Sequence, residues 1–196
     1  MAYIPRTDIN TPTPMSGNNF FYAWNVFQPS WGPPVQVGNC TWYAWGRFWE
    51  ISGATSSSQN RPTLCTLDAN YWWAYNDGYN RSQTPELGSV ICLEGGNYSG
   101  LGHVAIVEKI NSDGSIYTSE SGLNAYYFDY RLRIPPNYEA NSSDGYTFKG
   151  FILNPFGGGS GGGNFKPWLA GNILRRKRNV IRNSRFTYSL WDRKFI

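Results

Sequence analysis

From Ser89 to Leu153 the chain is a series of short apolar or alternating runs parted by turn residues, and this stretch restricts the fold more than any other. Ser89–Leu93 (SVICL) reads as an apolar strand, His103–Ile110 (HVAIVEKI) as a second and Ser115–Glu120 (SIYTSE) as a third. Tyr126–Ile134 (YYFDYRLRI) and Tyr146–Leu153 (YTFKGFIL) complete the set. Between the second and third lies Asn111-Ser112-Asp113-Gly114, whose Asp-Gly pair supplies the backbone that a tight antiparallel connection needs. Helical patterns precede this run rather than alternate with it. The expectation is therefore an α+β body, with N-terminal helices packed on an antiparallel sheet.

The first of those helices follows Gly38-Asn39-Cys40 and runs through Trp49 and Glu50 to Ile51. Tyr43, Ala44, Arg47, Phe48 and Ile51 recur at three- and four-residue steps and define an inward face. Ser52-Gly53 ends it. A second helix is expected over Leu67–Asn76 (LDANYWWAYN), capped by Thr66 or Asp68, stopped at Asp77-Gly78, and packed through Tyr71, Trp72, Ala74 and Tyr75. Residues 1–19 hold Pro5, Pro12 and Pro14 and show no periodicity, and the aromatic run Phe20–Phe27 (FFYAWNVF) reads as a short helix or a strand packing on the body; together 1–35 are expected as an extended N-terminal arm. The body then spans 36–156. GGGSGGG at 157–163 is a random-coil linker. The remainder, 164–196, is a C-terminal arm with too few aliphatic residues to fold alone.

Charge divides the chain. Through residue 165 there are eight Lys or Arg against twelve Asp or Glu, net −4; beyond it there are nine against one, net +8. An acidic body with a basic tail implies different partners for the two parts. In the tail Arg175-Arg176-Lys177-Arg178, Arg182 and Arg185 are interleaved with Phe186, Tyr188, Trp191 and Phe195. An acidic protein surface or another anionic polymer suits it better than nucleic acid, since no nucleic-acid module accompanies the run. Nine Trp, fourteen Tyr and 15% charged residues fit a module with a broad aromatic groove and exclude disorder. No apolar run approaches the ~20 residues that span a bilayer, and Met1–Arg6 has no apolar signal core. Three cysteines in a chain of this size point to free thiols rather than a disulfide framework. The absence of CxxC and of a His cluster argues against zinc.

Chemistry points to Cys40. A thiol in the first turn of a helix meets the positive end of its dipole, which favours thiolate. Most cysteines are merely small buried hydrophobes. A nucleophilic one needs a base, and the chain has a single histidine, His103, at the start of a strand. Taking the Asp-Gly hairpin literally, His103 falls opposite a residue in the range 120–123. Glu120 is then placed to accept a hydrogen bond from the imidazole. The set Cys40–His103–Glu120 supplies nucleophile, base and orienter. The Cys40 N–H and the Asn39 amide are candidate oxyanion donors.

Five stretches in order also resemble one family. They are Asn39-Cys40-Thr41-Trp42-Tyr43-Ala44-Trp45-Gly46, Asp68-Ala69-Asn70-Tyr71-Trp72, Pro85-Glu86-Leu87-Gly88-Ser89-Val90, Gly102-His103-Val104-Ala105-Ile106-Val107-Glu108 and Ser119-Glu120, with Gly150-Phe151-Ile152 closing the match. This is similar to the CHAP domain, the cysteine, histidine-dependent amidohydrolase/peptidase family, over about residues 36–155. The resemblance implies a papain-like fold and Cys40, His103 and Glu120 as catalytic residues. It implies Asn39, Trp42 and Asn124 as oxyanion- or substrate-binding residues. Two departures stand out: many members carry Gln where Asn39 stands, and Asn where Gly122 stands. No resident cofactor is implied, although some members use calcium; no EF-hand-like loop is present.

The implied substrate is peptidoglycan, cut at the bond between N-acetylmuramic acid and L-alanine or at a peptide bond. The expected setting is a phage enzyme carried in the virion, docked to tail proteins through its two arms and opening the host wall at entry. The alternatives are a free endolysin acting at lysis and a tail component with a vestigial site.

Overall fold

The computed structural model describes residues 3–27, 39–97, 100–122, 126–140 and 144–158, all within the compact unit Met1–Gly161. The linker beyond 158 and the basic tail lie outside the described residues.

Among the described residues one α-helix, α1 (Cys40–Glu50), precedes six strands: β1 (Arg81–Ser82), β2 (Val90–Gly95), β3 (His103–Ile110), β4 (Ile116–Gly122), β5 (Tyr126–Arg133) and β6 (Tyr146–Ile152). They form one antiparallel sheet in the order β1-β6-β2-β3-β4-β5. This is the α+β, papain-like arrangement expected from the sequence. The five anticipated strands are present, and the two-residue β1 is an addition too short to carry a periodic signal.

Strand alternation divides the core. Val90, Cys92, Val104, Ile106 and Ile152 pack with α1, while Ile91, Leu93, Ala105, Val107, Ile116 and Phe151 form a second cluster with Tyr138 on the opposite face. The anticipated inward face of α1 is only part of what is buried. Every residue from Thr41 to Trp49 is buried, because the helix is covered on its other side as well.

The cover is the N-terminal segment. Residues 3–27 are not an extended arm: Arg6, Met15 and Phe21 are fully buried. Gly46 marks the crossing. A Cβ there would lie 2.7 Å from the Phe20 carbonyl oxygen and 2.9 Å from the Phe21 ring. Mid-helix glycine costs about 1 kcal/mol relative to alanine, and the close approach explains its presence. The segment closes over a buried charge cluster. Arg47 of α1 grips Glu108 of β3 through Nε at 2.9 Å and Nη2 at 3.0 Å. Glu108 also accepts from the Tyr3 hydroxyl (2.5 Å), the Arg6 N–H (2.9 Å) and the Ser119 hydroxyl (2.6 Å). Arg6 reaches Glu50 at 2.6 Å.

The second expected helix is a single 3₁₀ turn, Ala69–Tyr71, without a side-chain cap. Of its anticipated packing residues Trp72 is fully buried, whereas Tyr71 and Tyr75 are exposed. Successive bulky aromatics lose rotamer freedom in a helix, and the Asp68 side chain does not cap it.

Candidate active site

Cys40 is the first residue of α1 and is partly exposed. Asn39 precedes it in extended backbone, and its side-chain oxygen accepts from the Trp42 N–H (2.8 Å) and the Thr41 hydroxyl (2.7 Å). This is an N-cap. It fixes where the helix starts and so where the sulfur sits. The Asn39 oxygen is committed to the helix, leaving its amide nitrogen for an oxyanion. The Cys40 N–H belongs to the first turn, which has no intrahelical acceptor.

His103 is the first residue of β3. By alternation it is in phase with Ala105 and Val107, on the face of the sheet away from α1. Its side chain nevertheless comes within reach of the Cys40 side chain, whose proximity helps to raise the imidazole pKa. That is possible because both residues stand at the end of their elements, where the first turn of α1 meets the end of the sheet. Gly102 delivers the histidine. It has φ +79, and a Cβ there would meet Asn70 Oδ1 at 2.6 Å and the Leu93 carbonyl at 2.7 Å. Asn70 braces this turn: Oδ1 accepts from the Gly95 N–H (2.9 Å), the side-chain amide donates to the Gly100 carbonyl, and its own N–H bonds the Leu101 carbonyl (2.9 Å). The sequence shows Asn70 within a landmark, but its bracing role needs the fold.

Register supplies the acid. Ile106 pairs with Ser119, which carries His103 toward Gly122, inside the expected range, with Glu120 on the same face. Nε2 of His103 lies 3.3 Å from Oε2 of Glu120. The contact is in ion-pair range but off the direction of a linear hydrogen bond, a looseness common in sites without substrate. With Nε2 turned to the carboxylate, Nδ1 is the nitrogen left for the thiol.

Glu120 is fully buried, not a solvated charge. Arg133 Nη2 donates to Oε2 at 2.5 Å and the Thr118 hydroxyl to the same oxygen at 3.2 Å. Oε1 accepts from the Tyr126 hydroxyl at 3.0 Å and lies 3.2 Å from Arg131 Nε. Burial alone would raise the Glu120 pKa, but Arg133 and His103 hold it well below the usual carboxylate range. Burial alone would lower that of His103; the charge of Glu120 first, and then the close approach of the Cys40 and Glu120 side chains, instead raise it to about 9. An imidazolium is therefore favoured beside the sulfur at neutral pH. From the sequence, Tyr126, Arg131 and Arg133 are recognisable only as strand residues. The available signal was Asp129, Arg131 and Arg133 alternating along a strand paired with the one bearing Glu120.

Two expectations fail or lie outside view. Trp42 is not a substrate residue: it is 1% exposed, and its indole N–H bonds the Phe21 carbonyl in the core. Its position two residues into α1 faces the N-terminal cover. Asn124 lies outside the described residues. All three cysteines are free, with Cys65 and Cys92 buried; burial raises both thiol pKa values. Among the described residues no group of three or more His, Cys, Asp or Glu is placed to hold a metal, and no helix is long and apolar enough to cross a membrane.

A helix-borne thiol meeting a strand-borne imidazole and a buried carboxylate is the arrangement of a papain-like thiol hydrolase. Residues 29–122 match the CHAP domain, the family that the sequence motifs resemble. Among its relatives, a probable autolysin SsaALP of Staphylococcus aureus (strain NCTC 8325 / PS 47) is 33% identical over 138 residues, 67% of this chain and 45% of the relative. The N-acetylmuramoyl-L-alanine amidase sle1 of Staphylococcus epidermidis is 34% identical over 113 residues, 54% of this chain and 30% of the relative. A crystal structure of N-acetylmuramoyl-L-alanine amidase from Staphylococcus aureus aligns over 63% of this chain and 34% of that one, with 28% identity and a TM-score of 0.39. The chain thus spans less than half the length of these relatives.

Proposed function

We propose that the chain is a cysteine-dependent peptidoglycan hydrolase that cuts an amide bond of the wall. One observation carries this: the sole imidazole lies close enough to the helix-terminal thiol for the two to interact, and 3.3 Å from a buried carboxylate. Named relatives that are an autolysin and an N-acetylmuramoyl-L-alanine amidase support the substrate class. They favour the muramoyl–alanine bond over a peptide bond within the stem.

In the proposed reaction the Cys40 sulfur, its proton on His103, attacks the scissile carbonyl carbon. The oxyanion is held by the Cys40 N–H at the positive end of α1. His103 gives its proton to the leaving nitrogen, the C–N bond breaks and a thioester remains. Water then loses a proton to His103 and attacks the thioester, releasing a carboxylate and restoring the thiol. Glu120 keeps the imidazole oriented and offsets its charge throughout.

The test is digestion of purified walls with mass spectrometry of the fragments. Wild type releases new termini at one amide bond and Cys40→Ala releases none; cleavage by Cys40→Ala sinks the mechanism. Alkylation labels Cys40 ahead of the buried Cys65 and Cys92 and abolishes cleavage. A narrower proposal, placement in a phage virion that opens the wall at entry, is supported only by the basic tail of net +8 as a docking segment. It predicts that the protein co-purifies with intact particles.

A further inference from the structure

Glycine at 122 is not needed for its backbone. Its φ lies outside the left-handed region, and it pairs in register with Tyr126 at the start of β5. What the position lacks is a side chain. A Cβ there would come within 2.5 Å of Tyr126 Cε1 and 2.7 Å of Cζ, so the ring occupies the volume that any other residue would fill. The Ser121 hydroxyl bonds the Tyr126 carbonyl at 3.0 Å and holds the backbone in that place. Arg131 covers the ring, its guanidinium 4.6 Å from the centroid. From this seat the phenol donates to Glu120 Oε1 at 3.0 Å. Burial and the charge of Glu120 both raise its pKa, so it remains a donor.

The carboxylate is thus held by different groups at its two oxygens. Oε1 has Tyr126 and Arg131; Oε2 has Arg133 and Thr118, and faces His103. Without the phenol, two guanidiniums dominate, and a carboxylate between them turns toward bidentate pairing. That rotation draws Oε2 off Nε2.

We propose that Gly122 and Tyr126 are a matched positioning pair: the empty place at 122 seats the ring, and the ring's hydroxyl keeps Oε2 of Glu120 turned toward His103. Neither residue touches the reacting atoms. The proposal rests on Cys40–His103–Glu120 as the reaction centre, yet its test does not require cleavage. His103 is the only histidine in the chain, so imidazole NMR signals titrate without ambiguity. Tyr126→Phe keeps the ring in its seat and removes only the hydroxyl. Its His103 midpoint falls by about one pH unit, the low end of what an opposing charge within reach produces. Gly122→Ala, which pushes the ring aside, moves it in the same direction. Tyr127→Phe leaves it unchanged, because that hydroxyl bonds Tyr22 rather than Glu120. In wall digestion Tyr126→Phe lowers kcat about tenfold at constant KM, and the alkaline limb shifts down with the imidazole. A Tyr126→Phe titration superimposed on wild type overturns the proposal by making the tyrosine mere packing. An upward shift overturns it too, since the phenol would then act only by draining charge from the carboxylate. If Gly122→Ala does not fold, Tyr126→Phe decides alone. A wild type that cuts no wall fails the functional reading, while the titration still decides this one.

Discussion

His103 couples catalysis and stability through one proton. Its pKa is about 9 in the folded chain against an ordinary 6.5. A group whose folded pKa is raised stabilises the fold fully below its unfolded value and loses that contribution as pH rises through the folded one. Denaturant unfolding should therefore show stability falling between pH 6.5 and 9, by roughly 3 kcal/mol at most. His103→Gln should flatten that slope. Glu120 acts with the opposite sign: its depressed pKa stabilises above the ordinary value of 4.5, and the contribution is lost as pH falls. Activity needs the protonated imidazole at the leaving group, so the alkaline limb of kcat/KM should lie near 9, measured by turbidity loss of walls across pH. A limb near 6.5 would mean that Glu120 does not reach the imidazole in solution.

At the scale of elements, what was legible in the sequence is what depends on local pattern. The strands, the Asp-Gly turn and hence the register placing His103 near Glu120 all follow from alternation and turn chemistry. The helix start was legible from Gly38, while the N-cap role of Asn39 emerges only from the structure. What was not legible depends on contacts between distant segments. Trp42 sits in the first turn beside Cys40, yet nothing local says that Phe21 covers it. Tyr71–Tyr75 looks like a packing face until the fold buries Trp72 fully and Trp73 partly and leaves the rest exposed. Nor does anything local say that Asn70 and Leu93 close on Gly102 and so fix where the catalytic strand begins. Gly102→Ala adds a positive-φ strain and a Cβ against Asn70 and Leu93, and so displaces the imidazole. A misplacement of about 1 Å costs on the order of 10²-fold in rate. Cleavage should fall by that factor while circular dichroism stays native; full activity would show that β3 begins independently of this turn.

For the whole molecule, the N-terminal segment changes what counts as the catalytic unit. Its prolines and lack of periodicity suggested an arm reaching to a partner, yet it completes the ion cluster joining α1 to β3, the two elements that bear the thiol and the imidazole. Glu108 takes two of its donors, the Tyr3 hydroxyl and the Arg6 N–H, from this segment. Arg47 donates at 2.7 Å to the Ile4 carbonyl, and Glu50 pairs with Arg6. Removing residues 1–7 strips partners from three buried charges, and leaving a buried charge uncompensated costs about 3–5 kcal/mol. The truncated chain should lose a large part of its stability, read as a lower urea midpoint, and should cleave poorly even where it remains folded, because α1 and β3 are no longer locked. Arg6→Met separates the two terms: it removes the pair with Glu50 but keeps the backbone donor to Glu108 and the segment's packing, so its loss should be the smaller. Equal midpoints for wild type and the truncation would show that the segment lies on the body without holding it.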